Sequence, residues 1–217
     1  MADKVRYSPS LRFMVEWFID QSKDKIAKIR HIFQKKKDSD HQLKIMTNKQ
    51  DKKILDVGCG LKKVPGAVGI DYIKLDGVDI VHDLNIYPWA NLDADTFDEI
   101  YMLDVLEHLD DVIAALKECY RLLRSGGKLF IRVAYWNHKY SYSDPTHKHY
   151  FSEITFKFFT GNKWRPYYTD FKFTDLKIDY SFDGNAIRKF GKSKKRLLKK
   201  AYFYCNVIQG MNITYTK

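Results

Sequence analysis

The feature that most constrains this chain is a short apolar strand that ends in a glycine turn. Ile54-Leu55-Asp56-Val57 is followed directly by Gly58-Cys59-Gly60. Glycine has no side chain and tolerates positive φ, so this turn can be sharp and its backbone can approach a ligand closely. Lys63 stands where dinucleotide-binding turns carry a third glycine, which disfavours a nicotinamide dehydrogenase. Two interpretations of this motif remain: the turn binds a nucleoside ligand that has no pyrophosphate, or it is an ordinary turn from a strand into a loop.

Acidic residues at the ends of the next two predicted strands favour the nucleoside. Asp71 ends the second strand, predicted at 67–71, and Asp83 follows the third, predicted near 78–82. A carboxylate after the second strand can accept hydrogen bonds from both ribose hydroxyls. Asp83 can receive an adenine amino group while Leu84 packs on the ring. Because the carboxyl ends of parallel strands meet at one edge of a sheet, we expect a composite pocket there.

Strands and helices alternate along the rest of the chain, which predicts a parallel sheet with helical crossovers. Further strands are predicted at 97–103, 128–136, 171–180 and 201–215. Helices are predicted at 110–124, where Ser125-Gly126-Gly127 stops the helix, and at 152–160. Only about seven residues separate Gly60 from the second strand, so we expect the first crossover helix to be reduced to a turn.

In order and spacing, these segments resemble class I methyltransferases that use S-adenosylmethionine (SAM), of the type 11-like kind. The matching segments include Val105-Leu106-Glu107-His108-Leu109 and Arg121-Leu122-Leu123-Arg124-Ser125-Gly126-Gly127, with Ser125 in place of the family's usual proline. Pro88-Trp89 and Asp144-Pro145-Thr146-His147 resemble a small variant of that family. The resemblance implies an α/β, Rossmann-like fold: a seven-stranded, mostly parallel sheet with an antiparallel last strand.

The resemblance also implies a transferase that binds SAM and releases S-adenosylhomocysteine. A set of residues along the carboxyl edge of the sheet is implied to hold the cofactor. These residues are Asp56, Gly58, Cys59, Gly60, Asp71, Tyr72, Asp83, Leu84, Leu103, Asp104 and His108.

The polar, aromatic loop at 140–151 carries the candidates for the acceptor side. A hydroxyl acceptor needs a base, and His147 is our first choice, with Asp144 as its orienting partner. The alternative is that Asp144 caps the turn and His147 bonds the backbone. His147 and His149 form a His-x-His pair that can bind a metal if Asp144 or His138 adds a ligand. We expect no metal.

Residues 1–48 predict a helical extension that precedes a methyltransferase domain at 49–217. We expect the extension to dock on the domain; joining a partner or lying on a membrane surface stay open. The chain has three widely spaced cysteines, too few for a disulfide framework, so we expect a reducing, cytoplasmic compartment. No apolar run reaches membrane-spanning length, so no transmembrane segment is expected.

The net charge of +11 attracts phosphates, nucleic acid or anionic lipid, and much of it lies in the basic stretch at 188–200. We expect methyl transfer to a hydroxyl or amine of a small molecule, with a saccharide as one option. An RNA methyltransferase that uses the basic stretch and a non-catalytic SAM-binding module are the alternatives. The sequence names neither the acceptor nor the oligomeric state.

Overall fold

The computed structural model describes residues 52–161, 167 and 169–217. The predicted helical extension at 1–48 lies outside the described residues and stays a prediction. The strands are β1 (Ile54–Val57), β2 (Val68–Asp71), β3 (Ile80–Val81), β4 (Phe97–Leu103), β5 (Leu123–Ala134), β6 (Asp175–Phe182) and β7 (Ile208–Thr216). The helices are α1 (Val112–Leu122), α2 (Tyr140–Ser143), α3 (Glu153–Lys157), α4 (Gly184–Phe190) and α5 (Lys194–Ala201), with short 3-10 helices at Leu106–His108 and Phe158–Thr160.

The strands form one seven-stranded sheet in the order β3-β2-β1-β4-β5-β7-β6. Strands β1 to β5 pair in parallel, and β7 is antiparallel to both β5 and β6. The predicted sheet, mostly parallel with an antiparallel last strand, is therefore confirmed. The strand order reverses between β1 and β4, and a ligand crevice forms outside the carboxyl ends of the strands at such a switch point.

Burial of the central strands and of one helix face builds the core beneath this edge. Leu55, Val57 and Ile100 are fully buried in β1 and β4. Helix α1 begins at an Asp111 cap, whose side chain accepts from the Ala114 amide. Its apolar stripe, spaced three and four residues apart, then packs against the sheet.

The first crossover contains no helix: the chain between β1 and β2 forms only turns, as predicted. Two acids tie these turns down in place of a packed helix. Asp56 Oδ2 accepts from the Val64 amide at 2.7 Å, and Asp71 Oδ2 accepts from the Gly60 amide at 2.9 Å. The residues at the strand ends therefore hold the loop that borders the crevice.

The predicted helix stop at Ser125-Gly126-Gly127 is wrong in its details. Helix α1 passes into β5 without a loop, and the two glycines lie inside that strand. Gly126 has a φ of 75°, and the β4–β5 register shifts between Phe97 and Glu99. The glycines form a bulge in the strand: Gly126 takes the positive φ that accommodates the extra residues, and a Cβ on Gly127 would lie 2.9 Å from the Arg124 carbonyl oxygen.

Two late strands begin further along the chain than predicted. The prediction for 171–180 included Phe171 and Phe173, but these side chains are buried in the core, with ring centroids 5.5 and 5.4 Å from Tyr120. The prediction for 201–215 included the end of α5 and the turn that follows it. Aromatic residues are common in strands, but in both places they precede the strand and either pack in the core or lie exposed. Composition therefore predicted the two strand starts too early.

The basic stretch at 188–200 folds into parts of α4 and α5. Asp183 caps α4, and Ser193 caps α5. Leu197 packs into a small second core with Ala186 and Val207, so α5 turns its apolar side inward. Among the residues that the structure describes, no helix is both long and apolar enough to cross a bilayer.

Candidate functional site

A cavity of about 730 Å³ lies at the carboxyl edge of the sheet, beside the switch point. This volume is in the range of small-molecule sites. Much of the predicted cofactor set lines it: Gly58, Asp71, Tyr72, Asp83, Leu84, Asp104 and His108. The structure therefore brings together residues that lie on four different loops.

The glycine turn gives the cavity its closest backbone wall. Gly58 has a φ of 66°, and a Cβ there would lie 2.4 Å from Val105 Cγ2. Gly60 has a φ of 50°, yet a Cβ there would meet no atom within 4 Å. Gly58 is thus required for space and conformation, whereas Gly60 is required for conformation alone.

Asp71 is the buried acid that faces both the loop and the cavity. Its Oδ2 accepts from the Gly60 amide at 2.9 Å, and its Oδ1 accepts from the Ile73 amide at 3.1 Å. A carboxylate offers about four lone-pair sites, so each oxygen can accept a further hydrogen bond. This geometry suits a carboxylate that is fixed by the backbone and holds a pair of hydroxyl groups.

Asp83 and Leu84 form the next part of the wall. Asp83 Oδ1 accepts from the Asn85 amide at 3.0 Å, and Oδ2 has no protein partner in the described part of the chain. Leu84 is held from behind by Trp89, which is fully buried and donates from Nε1 to the Leu84 carbonyl at 2.9 Å. The Trp89 amide in turn donates to Glu118 at 2.8 Å. Pro88-Trp89 thus anchors the loop from inside the core.

Four predicted cofactor residues lie outside the cavity lining: Asp56, Cys59, Gly60 and Leu103. Asp56 and Gly60 instead support the loop through their hydrogen bonds. Burial raises the pKa of the Asp56 carboxyl, an effect opposed by the hydrogen bond from Val64. The lining also includes Val105, Thr146 and Lys148, which the sequence analysis had not assigned to the cofactor. Thr146 lies within the Asp-Pro-Thr-His segment, Lys148 directly follows it, and Val105 directly precedes Leu-Glu-His-Leu, which was the available signal.

Asp104 is held in an uncommon backbone conformation at the end of β4. Its φ is 59°, and its amide donates to the Arg132 carbonyl at 2.9 Å. Arg132 Nε lies 2.9 Å from each oxygen of the Asp104 carboxylate. A non-glycine residue at positive φ persists when its surroundings hold it, and this ion pair supplies that restraint beside the cavity.

Two histidines meet at the acceptor side of the cavity. The rings of His108 and His147 lie edge to face with centroids 4.8 Å apart. His147 Nδ1 lies 3.0 Å from the Ser141 carbonyl, which can only accept, so Nδ1 donates. The neutral His147 ring therefore keeps its lone pair on Nε2. The Ser141 carbonyl orients this ring, and Asp144 Oδ1 accepts from the Thr146 amide at 2.9 Å. These contacts match the alternative interpretation, in which Asp144 caps the turn and His147 bonds the backbone, rather than Asp144 as the partner of His147.

Asp144 acts through Thr146 on the other histidine. Thr146 Oγ1 donates to Asp144 Oδ1 at 2.6 Å and lies 2.9 Å from His108 Nδ1. Since the single hydroxyl proton points to Asp144, His108 Nδ1 must donate to Thr146, and its Nε2 carries the lone pair. Burial, followed by the neighbouring His147, lowers the pKa of His108 below its ordinary value. Both rings are thus arranged to accept a proton at Nε2.

The same cluster has the composition of a cation site. One ligand atom from each of His108, Asp144 and His147 lies within 4.8 Å of the other two. Histidines that donate Nδ1–H to oxygen acceptors and keep Nε2 free are the usual form of metal-binding histidines. The His147–His149 pair considered from the sequence is less suited, because His149 Nε2 lies 3.3 Å from the Asp110 carbonyl.

Glu107 is a buried carboxyl directly behind the histidines. It is 3% exposed, and its Oε2 has no hydrogen-bond partner among the described residues. Burial raises the pKa of Glu107 to about 7, with a further increase from Asp104 and an opposing effect of His147. Its backbone carbonyl accepts from the Lys148 amide at 2.8 Å, so Glu107 also fixes the loop that carries the acceptor-side residues.

Two solved structures with the same fold are described as SAM-dependent methyltransferases. A SAM-dependent methyltransferase of Archaeoglobus fulgidus superposes with a TM-score of 0.55 at 19% identity, covering 82% of this chain and 92% of that chain. A SAM-dependent methyltransferase of Thermotoga maritima, a possible histamine N-methyltransferase by its description, gives 0.50 at 18% identity, covering 76% of this chain and 82% of that chain. At these identities, the likeness establishes the class I methyltransferase fold.

A family model described as a methyltransferase domain matches residues 22–176, most of the chain. The chain belongs to this methyltransferase family. Ubiquinone biosynthesis O-methyltransferases are similar over a shorter stretch. That of Pseudomonas putida is 29% identical over 108 residues (41% of this chain, 47% of that protein), and that of Idiomarina loihiensis is 31% identical over 99 residues (36% and 41%). The chain spans about half the length of the curated relatives it matches.

Gly58→Ala tests the close approach of the glycine turn. The added methyl group collides with Val105 and is strained at positive φ, so we expect a destabilisation of about 2–5 kcal/mol, the sum of overpacking and left-handed strain. Gly60→Ala is the matched control, which suffers the strain of about 1–2 kcal/mol without the collision. Urea unfolding measures both. Val105→Ala should recover part of the loss in Gly58→Ala, and equal losses for the two glycine variants would contradict the collision with Val105.

Glu107→Gln tests the raised pKa of the buried carboxyl. Its pKa is about 7 in the folded protein against an ordinary value of 4.5, so the folded state binds the proton more tightly than the unfolded state does. Stability from Glu107 is therefore present below pH 4.5 and is lost as pH rises through 7. Relative to Glu107→Gln, the wild type should lose up to about 3 kcal/mol between pH 5 and 8. The exposed Asp93→Asn variant should show no such trend in the same urea titrations.

Proposed function

We propose that this chain transfers a methyl group from SAM to a hydroxyl or amine of a small molecule. One observation carries the proposal: a single cavity joins the fixed acids Asp71 and Asp83 to His108 and Thr146. The first two suit the ribose and adenine of a nucleoside. His108, which the sequence analysis placed in the cofactor set, offers a lone pair on Nε2 that suits removal of a proton from an acceptor, and Thr146 positions its ring. The family membership of the chain supports the same reaction class.

The residues present fit SAM. Gly58 leaves open a space that a Cβ would fill, and the Asp71 carboxylate has spare lone pairs on both oxygens. When bound, SAM supplies a methyl group already activated by its sulfonium, so the protein mainly provides alignment and proximity. Asp56 and Gly60 hold the loop, and Arg132 holds Asp104 beside the cavity.

The histidine pair would remove the proton of the acceptor. Each ring has its Nδ1–H committed to an oxygen acceptor, so a hydroxyl proton can move only to Nε2. His108 lines the cavity, and His147 packs against it and remains the base first chosen from the sequence. Asp144 and Thr146 act as positioning residues for His108, and the Ser141 carbonyl positions His147.

A hydroxyl acceptor agrees best with a site that carries bases, and the similar ubiquinone biosynthesis proteins are named O-methyltransferases. A saccharide stays an option, because Tyr142 and Tyr150 stack at 4.7 Å and expose an aromatic surface on the same loop. RNA methylation is less well supported, since α4 and α5 contribute no residue to the cavity lining. A non-catalytic SAM-binding module would have no need of two oriented histidines.

Calorimetric titration with SAM and S-adenosylhomocysteine tests the cofactor. We expect micromolar binding, weakened about a hundredfold by Asp71→Ala because two charge-assisted hydrogen bonds are lost. Asp79→Ala is the control: Asp79 accepts from Gly69 and Lys63 in the same region without lining the cavity. It should bind normally. No binding by a folded wild-type protein would refute the proposal.

The pH dependence of methyl transfer tests the histidines, with acceptors screened by S-adenosylhomocysteine release. Protonated imidazole cannot accept a proton, so kcat/KM should fall as pH drops through the lowered pKa of His108. His108→Gln or His147→Gln should reduce kcat by about 100-fold or more while SAM affinity is kept. Loss of activity in EDTA, restored by a divalent cation, would instead assign the histidines to a metal. Full activity of both variants would exclude them.

A further inference from the structure

The C-terminal part of the chain carries an unbalanced positive charge. Eight Lys and Arg residues lie between Arg188 and Lys200, and no Asp or Glu occurs from Gly184 to Lys217. Across the sheet, Lys194 lies 3.5 Å from Asp179, a carboxylate that Lys177 already contacts at 2.7 Å. Among the described residues, most of this positive charge therefore faces solvent without a carboxylate partner.

Helix α5 has one apolar face and one basic face. Leu197 is 1% exposed and packs inward, while Lys195 and Lys199, four residues apart, share the outer face and are both exposed. Because the apolar stripe is already buried, the outward face of α5 is almost purely basic. An attraction to an anionic partner is available here without any rearrangement of the helix.

The end of α5 presents aromatic side chains directly beside this charge. Tyr202 is 83% exposed and Phe203 is 77% exposed, and the amides of Phe203 and Tyr204 both donate to the Lys200 carbonyl at 3.0 Å. The backbone that carries the rings is therefore ordered by hydrogen bonds. A phenylalanine held this far out of the core, next to lysines, is an uncommon surface feature.

These rings continue into a mostly apolar cleft of about 650 Å³, whose lining also includes one carboxylate, Glu153. Trp136, Tyr150 and Ile154 line its other side, and all three are exposed. The loop that carries Tyr150 also places Thr146 in the candidate active site. One continuous face therefore runs from the basic helix, across the aromatic tip, to the loop of the acceptor side.

We propose that this face docks the protein on an anionic lipid bilayer, with the outer lysines of α5 on the headgroups and Phe203 and Tyr202 at the interface. Anionic headgroups attract clustered lysines, and aromatic rings settle at headgroup depth. An RNA strand would instead stack its bases on ring faces. Lys189 Nζ lies 5.3 Å from the Phe190 ring and Lys200 Nζ lies 5.7 Å from the Tyr204 ring, so lysines already lie over these two rings. This leaves Tyr202 and Phe203 as the exposed rings beside the lysines of α5.

Vesicle flotation of the full chain tests the proposal, independently of methyl transfer. We expect binding to vesicles of phosphatidylcholine with phosphatidylglycerol, little binding to phosphatidylcholine alone, and a decrease with added salt. Each outer lysine should contribute about fivefold, so Lys195→Gln/Lys199→Gln should weaken binding about 25-fold. Phe203→Ser should weaken binding at high salt, where the apolar contact matters most.

Lys128→Gln/Lys172→Gln is the matched control. It removes the same charge from exposed lysines near the Thr216 end of β7, away from α5. This control should bind vesicles as the wild type does, and all variants should keep the wild-type thermal unfolding midpoint. The proposal would be overturned if Lys128→Gln/Lys172→Gln weakened vesicle binding as much as Lys195→Gln/Lys199→Gln does. It would also be overturned if neither Lys195→Gln/Lys199→Gln nor Phe203→Ser changed vesicle binding. Tight binding of single-stranded RNA with no vesicle binding would assign the face to RNA.

Discussion

The carboxylate of Asp71 is the interaction on which the candidate site depends. It ends β2, accepts the Gly60 amide of the β1–β2 loop and the Ile73 amide of the loop after β2, and still faces the cavity. The first crossover has no helix, so hydrogen bonds hold the glycine turn against the sheet, including one from the Gly58 amide to the Ile70 carbonyl at 2.8 Å. Asp56 provides the second tether, through Val64. The same groups that would bind a nucleoside therefore also maintain the shape of its pocket, which couples ligand affinity to local stability.

The acceptor side is organised by the hydrogen-bond capacity of its partners. A carbonyl can only accept and a hydroxyl has one proton, so Ser141 and Thr146 determine which nitrogen of each histidine is free. Glu107 lies beneath them as a buried carboxyl whose raised pKa keeps it largely neutral below pH 7. The arrangement places two bases beside an acid that can also titrate near neutrality, so pH should act on this site through more than one group.

The basic face and the candidate site share one structural element. The loop between β5 and α3 lines the cavity through Thr146 and the apolar cleft through Tyr150. A bilayer at the cleft would therefore lie close to where an acceptor enters, and a lipid-borne or membrane-associated acceptor would meet the site from that side. Proton removal from the acceptor depends on Nε2 of the histidines, whereas docking depends on the lysines of α5. The two properties can therefore be changed by separate substitutions.

The sequence by itself determined the sheet and which residues gather at its carboxyl edge. Strand-end acids and a glycine turn are local in the chain, and the carboxyl ends of parallel strands meet at one edge of a sheet, so Asp71, Asp83 and Gly58 could be placed together at that edge from spacing. Tertiary structure decided what depends on side-chain direction. It paired His108 with His147, gave the orienting role of Asp144 to the Ser141 carbonyl, and placed the glycines of Ser125-Gly126-Gly127 in a strand bulge. It also exposed Phe203 while burying Phe171 and Phe173, because hydrophobicity alone does not specify which aromatic residues find a place in the core.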